Sequence, residues 1–153
     1  MDRPVWMSAA LATAALAIVG CAAPFDFFRS PDLKDAEPVV QDYLSNLRWG
    51  RFDDAAELVH PDRRRAFRQL VAGREDQLRI TSFEVESIEP ADEEGLARAT
   101  IRYRVYRLPS LTDEGRRETI GLRWERPQNR WFVQPNLASL ERDLSGPSVG
   151  SSP

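Results

Sequence analysis

Between residues 35 and 72 the apolar side chains recur every three or four positions, and from residue 78 onward they recur at every second one. That change of period divides the chain into a helical half and a sheet half. Val39, Val40, Tyr43, Leu44 and Leu47 fall on one side of a helix, with Gln41, Asp42 and Asn46 opposite. Asp35 is its expected N-cap, Ala36, Glu37 and Pro38 suit the first turn, and Gly50 is the expected terminator. A short helix over 53–59 is predicted to bury Ala55, Ala56 and Val59 beside Phe52, capped by Asp53 or Asp54. Pro61 and Asp62 restart the chain into a third helix, 63–72, with Phe67, Leu70 and Val71 inward and Gly73 near its end.

In the second half, Phe83 and Val85 alternate with Glu84 and Glu86 in a strand closed by Glu89 and Pro90. Acidic residues and Gly95 make a turn. Ala97, Ala99, Ile101, Tyr103 and Val105 then share one face, while Arg98, Arg102 and Arg104 take the other, the pattern of a half-buried antiparallel strand. A loop over 109–115 leads to Ile120, Leu122 and Trp124, which alternate with Thr119, Gly121, Arg123 and Glu125. The turn Pro127-Gln128-Asn129 precedes a last strand carrying Trp131 and Val133. Helices followed by about four antiparallel strands define an α+β domain with helices on one face of a curved sheet.

The amino terminus belongs to a different kind of segment. Residues 8–19 form an unbroken small and apolar run behind Arg3, the length of a secretory signal core and short of the roughly 20 residues a spanning helix needs. Ile18-Val19-Gly20-Cys21 resembles the lipobox of bacterial lipoproteins, with an aliphatic residue three before the cysteine and a small one directly before it. The resemblance implies diacylglycerol on the Cys21 thiol, cleavage behind Gly20 by signal peptidase II, and acylation of the new amine. Acyl chains at about 0.8 kcal/mol per buried methylene hold a protein on a membrane when two or more act together. Ala22 after the cysteine resembles the pattern of outer-membrane sorting, so in a cell with two membranes the domain is expected to face the periplasm.

Four segments follow: a lipoprotein signal peptide over 1–20, the lipidated cysteine and tether over 21–34, a folded domain over 35–142, and a disordered tail over 143–153, rich in Ser, Gly and Pro. The tether contains Pro24 and Pro31 and three aromatics, Phe25, Phe27 and Phe28, which would either sit in the membrane interface or pack back on the domain.

Composition narrows the field further. At 42% hydrophobic and 29% charged residues the chain is an ordinary globular one. With 21 basic against 24 acidic residues, net −3, no global field favours nucleic acid. Cys21 is the single cysteine, which excludes an internal disulfide.

The run Val40-Gln41-Asp42-Tyr43-Leu44 through Leu47-Arg48-Trp49-Gly50-Arg51-Phe52-Asp53-Asp54-Ala55, with the hairpin Leu122-Arg123-Trp124-Glu125 to Asn129-Arg130-Trp131-Phe132-Val133, resembles the NTF2-like superfamily. That resemblance covers roughly residues 35–135 and implies a cone of three N-terminal helices packed on about four strands. It implies no activity, since one fold hosts enzymes, carriers and interaction modules.

Candidate sites are few. His60, the one histidine, lies before Pro61 without a second histidine or a cysteine to complete a metal set, and reads as a loop residue that caps locally. The inward positions are almost all apolar; Tyr43, Tyr103 and Glu118 are the polar groups expected to reach that face, and Tyr43, Tyr103 and Trp124 mark the expected pocket. No carboxylate or imidazole stands out as a general base, so no catalytic residue, metal or cofactor is assigned. Arg63, Arg64, Arg65 and Arg68 form a basic cluster on the third helix. Arg102, Arg104 and Arg123, with Tyr106 and Phe132, mark an expected partner surface on the outer face, otherwise a solvated face with ion pairs to Glu84, Glu86 and Glu125. The expectation is a membrane-anchored binding or accessory module with an envelope protein partner; the alternative is a small-molecule carrier or enzyme using the cavity.

Overall fold

In the computed structural model, residues 31–74, 79–106 and 113–145 are described. The signal segment, Cys21, the three tether phenylalanines, the Tyr106 side chain and the tail over 146–153 lie outside them.

A single 3-10 turn, Leu33–Asp35, leads into α1, Ala36–Arg48. Asp35 occupies the N-cap position but makes no capping bond, because its φ of −76° and ψ of −13° are already helical and a capping side chain needs an extended backbone to reach back. Asp32, three residues earlier and extended, accepts from the Lys34 N–H at 2.9 Å instead. Ala36, Val40, Tyr43, Leu44 and Leu47 are all buried, as the helical spacing requires. At the far end the Gly50 N–H bonds Leu47 O and the Arg51 N–H bonds Asn46 O at 2.8 Å, the paired bonds of a left-handed C-terminal cap. Gly50 has φ of 68°. A Cβ there meets only Arg79 Nη1 at 3.9 Å, so Gly50→Ala is expected to cost about 1 kcal/mol from backbone conformation alone, read as a lower urea midpoint at unchanged slope.

Helix α2, Phe52–Leu58, starts one residue after that cap, which places Asp53 and Asp54 inside its first turn with Arg51 at the N-cap position. The two carboxylates therefore face the positive end of the helix rather than cap it. Helix α3, Pro61–Val71, buries Phe67 and Val71.

Four strands follow in a simple antiparallel meander, ordered β1-β2-β3-β4: β1 Arg79–Pro90, β2 Leu96–Tyr106, β3 Asp113–Glu125 and β4 Arg130–Gln134. β3 takes in 113–115, which the sequence pattern placed in a loop. Strand β1 departs from strict alternation. Register shifts between Ile80 and Ser82 and between Val85 and Ser87 each insert one extra residue, so parity changes twice. Ile80, Phe83, Val85 and Ile88 consequently all pack on the core despite their uneven spacing. In β2 and β3 the expected alternation holds, with Ala97, Ala99, Ile101, Tyr103, Val105, Ile120, Leu122 and Trp124 buried.

After β4 the chain forms α4, Leu137–Ser145, which the sequence reading did not include. Asp143 and Leu144 are buried in it, so the folded domain extends past 142 and the first residues assigned to the tail are structural. Three helices thus precede the sheet and a fourth follows it. Helix α4 packs beside α3, and its Leu140 and Asp143 line one cavity with Tyr43 of α1.

Candidate functional site

The inner face of the sheet is apolar along most of its length and polar where α4 lies over it. Tyr43 from α1, Tyr103 from β2, Glu118 from β3 and Asp143 from α4 surround a cavity of about 30 Å³, with Leu140 and Ile101 among its apolar walls. That space admits two or three water molecules at most, at about 10–15 Å³ each. Trp124, grouped with the two tyrosines on sequence grounds, does not line it; its ring packs edge-on against Trp131 at 5.6 Å.

The polar end is organised around one hydroxyl. Tyr103 Oη lies 2.9 Å from Glu118 Oε2 and 2.8 Å from Asp143 Oδ2. Its one proton is shared between two carboxyl groups, so the site favours a neutral form of one of them. Glu118 is the carboxyl pushed in that direction. Burial drives its pKa upward, and the neighbouring Asp143 adds to the effect, against the hydrogen bonds from Tyr103 and Ser139 and the charge of Arg142. Asp143, 2% exposed, has Arg116 Nε 3.3 Å from its Oδ1, the counter-charge that its ionised form needs. Burial raises both tyrosines far above their usual range, Glu118 adding to each, so neither ionises at physiological pH.

The sign of the pH effect follows. A carboxyl whose folded-state pKa is raised favours the fold below its unfolded value, near 4.5, and that contribution is lost as pH rises through the folded value. Glu118→Gln, which keeps a donor without the titration, should therefore be more stable than the parent at pH 7 and indistinguishable at pH 4. Thermal unfolding at the two pH values reads the difference.

A second polar group sits at the other end of β3. His60, 4% exposed, is the N-cap of α3: its Nδ1 accepts from the Asp62 N–H at 3.3 Å. That fixes the tautomer, so Nε2 carries the proton and donates to Glu125 Oε1 at 2.7 Å. The local-capping expectation for His60 describes half of its role; the other half joins it to a residue 65 positions away. The His60 ring also stands edge-on to Phe132 at 6.0 Å, and the Arg130 guanidinium lies 4.5 Å from that ring's centre. Phe132 is thereby 3% exposed and does not belong to an exposed outer face. Glu125 has its pKa lowered, chiefly by the His60 hydrogen bond and further by Arg123. Its contribution to stability is complete above about pH 4.5 and drains as pH falls through the lowered folded value. Glu125→Gln should flatten the acid limb of the stability profile, measured as urea midpoints against pH.

On the outer face Arg102, Arg104 and Arg123 are exposed as expected. Arg102 and Arg117 both contact Glu86, the latter at 2.6 Å, and Arg123 Nε lies 3.0 Å from Glu125 Oε1. Among the described residues no group of three or more histidine, cysteine or acidic side chains is placed to hold a metal ion. Sequence reasoning missed Asp143, Arg116 and Ser139. The one signal for Ser139 and Asp143 is Asn136, whose Oδ1 accepts from the Ser139 N–H at 3.2 Å, ahead of Leu137, Leu140 and Leu144 at helical spacing.

No sequence-family model and no curated protein matches the chain. Among solved structures it is similar to an NTF-2 like protein of unknown function from Shewanella oneidensis MR-1, at 12% identity and TM-score 0.47 over 67% of this chain and 93% of that one. It is also similar to the intermembrane space region of the chloroplast protein ARC6, at 12% identity and TM-score 0.42 over 70% and 95%. A SEC-C motif containing protein from Psychrobacter arcticus is similar at 10% identity and TM-score 0.47, over 72% of this chain and 64% of that one.

Proposed function

We propose that this chain is a lipid-anchored envelope lipoprotein whose NTF2-like domain acts by binding and not by catalysis. The anchor is Cys21, acylated after cleavage behind Gly20; where two membranes are present, the domain faces the periplasm from the outer one. The observation that carries the binding role is the filled interior. Small-molecule sites occupy about 300–1,000 Å³, and the cavity between α1, α4 and the sheet holds about 30 Å³. The exposed arginines Arg102, Arg104 and Arg123 offer the contact surface for an envelope protein partner.

Cys21→Ala tests the anchor. The expected product is an unlipidated precursor or a differently cut chain that leaves the membrane fraction, followed by mass spectrometry; unchanged mass and unchanged attachment overturn the reading. Conversion of Arg102, Arg104 and Arg123 to glutamate tests the binding role, with loss of the partner in a membrane pull-down expected.

A second reading, a carrier or enzyme using the cavity, rests on the hydrogen-bonded cluster of Tyr103, Glu118 and Asp143, which an opened cavity would present to a ligand. Tyr103→Phe and Tyr43→Phe separate the two. A binding module tolerates both changes and loses its partner on reversal of Arg102, Arg104 and Arg123; a cavity protein shows the reverse.

A further inference from the structure

Two of the sheet's margins are guarded. β1 carries two bulges and ends at Pro90, both of which discourage further pairing. β4 is backed by the connection between α2 and α3: Val59 bridges Val133, and the His60 N–H bonds Val133 O at 2.9 Å.

Among the described residues the remaining margin pairs with no strand. β4 pairs only with residues 121–125 of β3, so residues 113–120 have β2 on one side and no described strand on the other. The Trp124 N–H donates to Gly95 O at 2.8 Å, toward β2, and the β2–β3 register runs without a shift. In an antiparallel ladder successive residues turn their N–H and C=O to opposite sides. Even-numbered residues of β3 therefore bond β2, and Gly115, Arg117 and Thr119 aim theirs outward. All three are exposed.

The charge beside this margin is positive. A groove of about 460 Å³ runs along it, where Arg116, Arg117 and Arg142 outnumber the one carboxyl, Glu118, beside Thr119 and Ser139. Arg116 is matched by Asp143, whereas Arg102 and Arg117 divide the single carboxylate of Glu86 between them. Arg142, exposed on α4, adds a further cation.

We propose that residues 115–119 of β3 dock an extended acidic segment of a partner protein, which adds to the sheet as a fifth strand. Main-chain bonds to Gly115, Arg117 and Thr119 supply the affinity, and carboxylates set against Arg117 and Arg142 supply the selectivity. The inference rests on the binding role proposed above and gives it a place and a partner chemistry.

The probe is a synthetic eight-residue peptide of alternating glutamate and threonine, titrated against the full chain in mild detergent and followed by fluorescence anisotropy. It should bind at least tenfold more tightly than a lysine–threonine counterpart and slow amide exchange at Arg117 and Thr119. Thr119→Pro deletes an outward donor that no described strand uses, a change sheet margins tolerate, and should weaken binding at least tenfold at unchanged melting temperature. Arg117→Glu should weaken it similarly without touching the backbone. Equal affinity for the two peptides overturns the proposal, as does slowed exchange only at other amides. Exchange already slow in the free chain, whether from a second copy or from residues 146–153, overturns it too. Partner capture that survives Thr119→Pro and Arg117→Glu but fails on reversal of Arg102, Arg104 and Arg123 removes the strand-addition site and leaves the binding role standing.

Discussion

Truncating Trp131 to alanine will cost about 4 kcal/mol of folding stability, the upper part of the range for large aromatic residues in cores. The ring is 1% exposed and packs edge-on against Trp124 at 5.6 Å and 66°. Its loss leaves a void on the inner face that neither β3 nor β4 can close, because both are held in register by Leu122 opposite Val133. The indole also donates from Nε1 to Asp32 O at 3.0 Å. Trp131→Phe keeps much of the packing and removes only that bond, so it should lose about 1 kcal/mol from the bond plus a smaller packing deficit. Urea unfolding of both variants checks the pair, and equal losses would show that the indole N–H, not the ring volume, carries the effect.

Asp143→Ala will be nearly as damaging, at about 3 kcal/mol. Removing one member of a buried ionic pair strands the other charge and removes the closer of the two acceptors of the Tyr103 hydroxyl. Arg116 keeps a side chain 25% exposed, so water recovers part of the loss and the figure stays at the lower end. The Asp143→Ala and Tyr103→Phe changes share one hydrogen bond, and their effects should be non-additive by about 1 kcal/mol in a double-mutant cycle. Near-UV circular dichroism should report loosening of α4 before the sheet melts, since Ser139, Leu140, Asp143 and Leu144 are the helix's buried residues.

These two sites show where the sequence was readable. Helix α1 was legible because one apolar stripe and one glycine at the left-handed position say the same thing. β2 and β3 were legible because they alternate without interruption. The bulges of β1 were not, since Thr81 and Glu86 look like ordinary outward residues and only the pairing with β2 reveals them as extra. Helix α4 escaped for a related reason: an aspartate at a buried position breaks the apolar stripe, and its partner Tyr103 stands 40 residues earlier. Tyr103 and Glu118 were identified as inward polar groups, yet the hydroxyl bridging two carboxyls depends on a helix that the pattern concealed. Phe132 was misplaced because the His60 segment covers the margin of β4, a contact between distant parts of the chain.

The bond from Trp131 to Asp32 governs how mechanical load enters the domain. A tug on the residues ahead of Pro31 arrives first at an indole rooted in the last strand, and only afterwards at the start of α1. Load carried by the proposed anchor is thus borne by a ring 1% exposed, and the first helix is spared from being peeled off turn by turn.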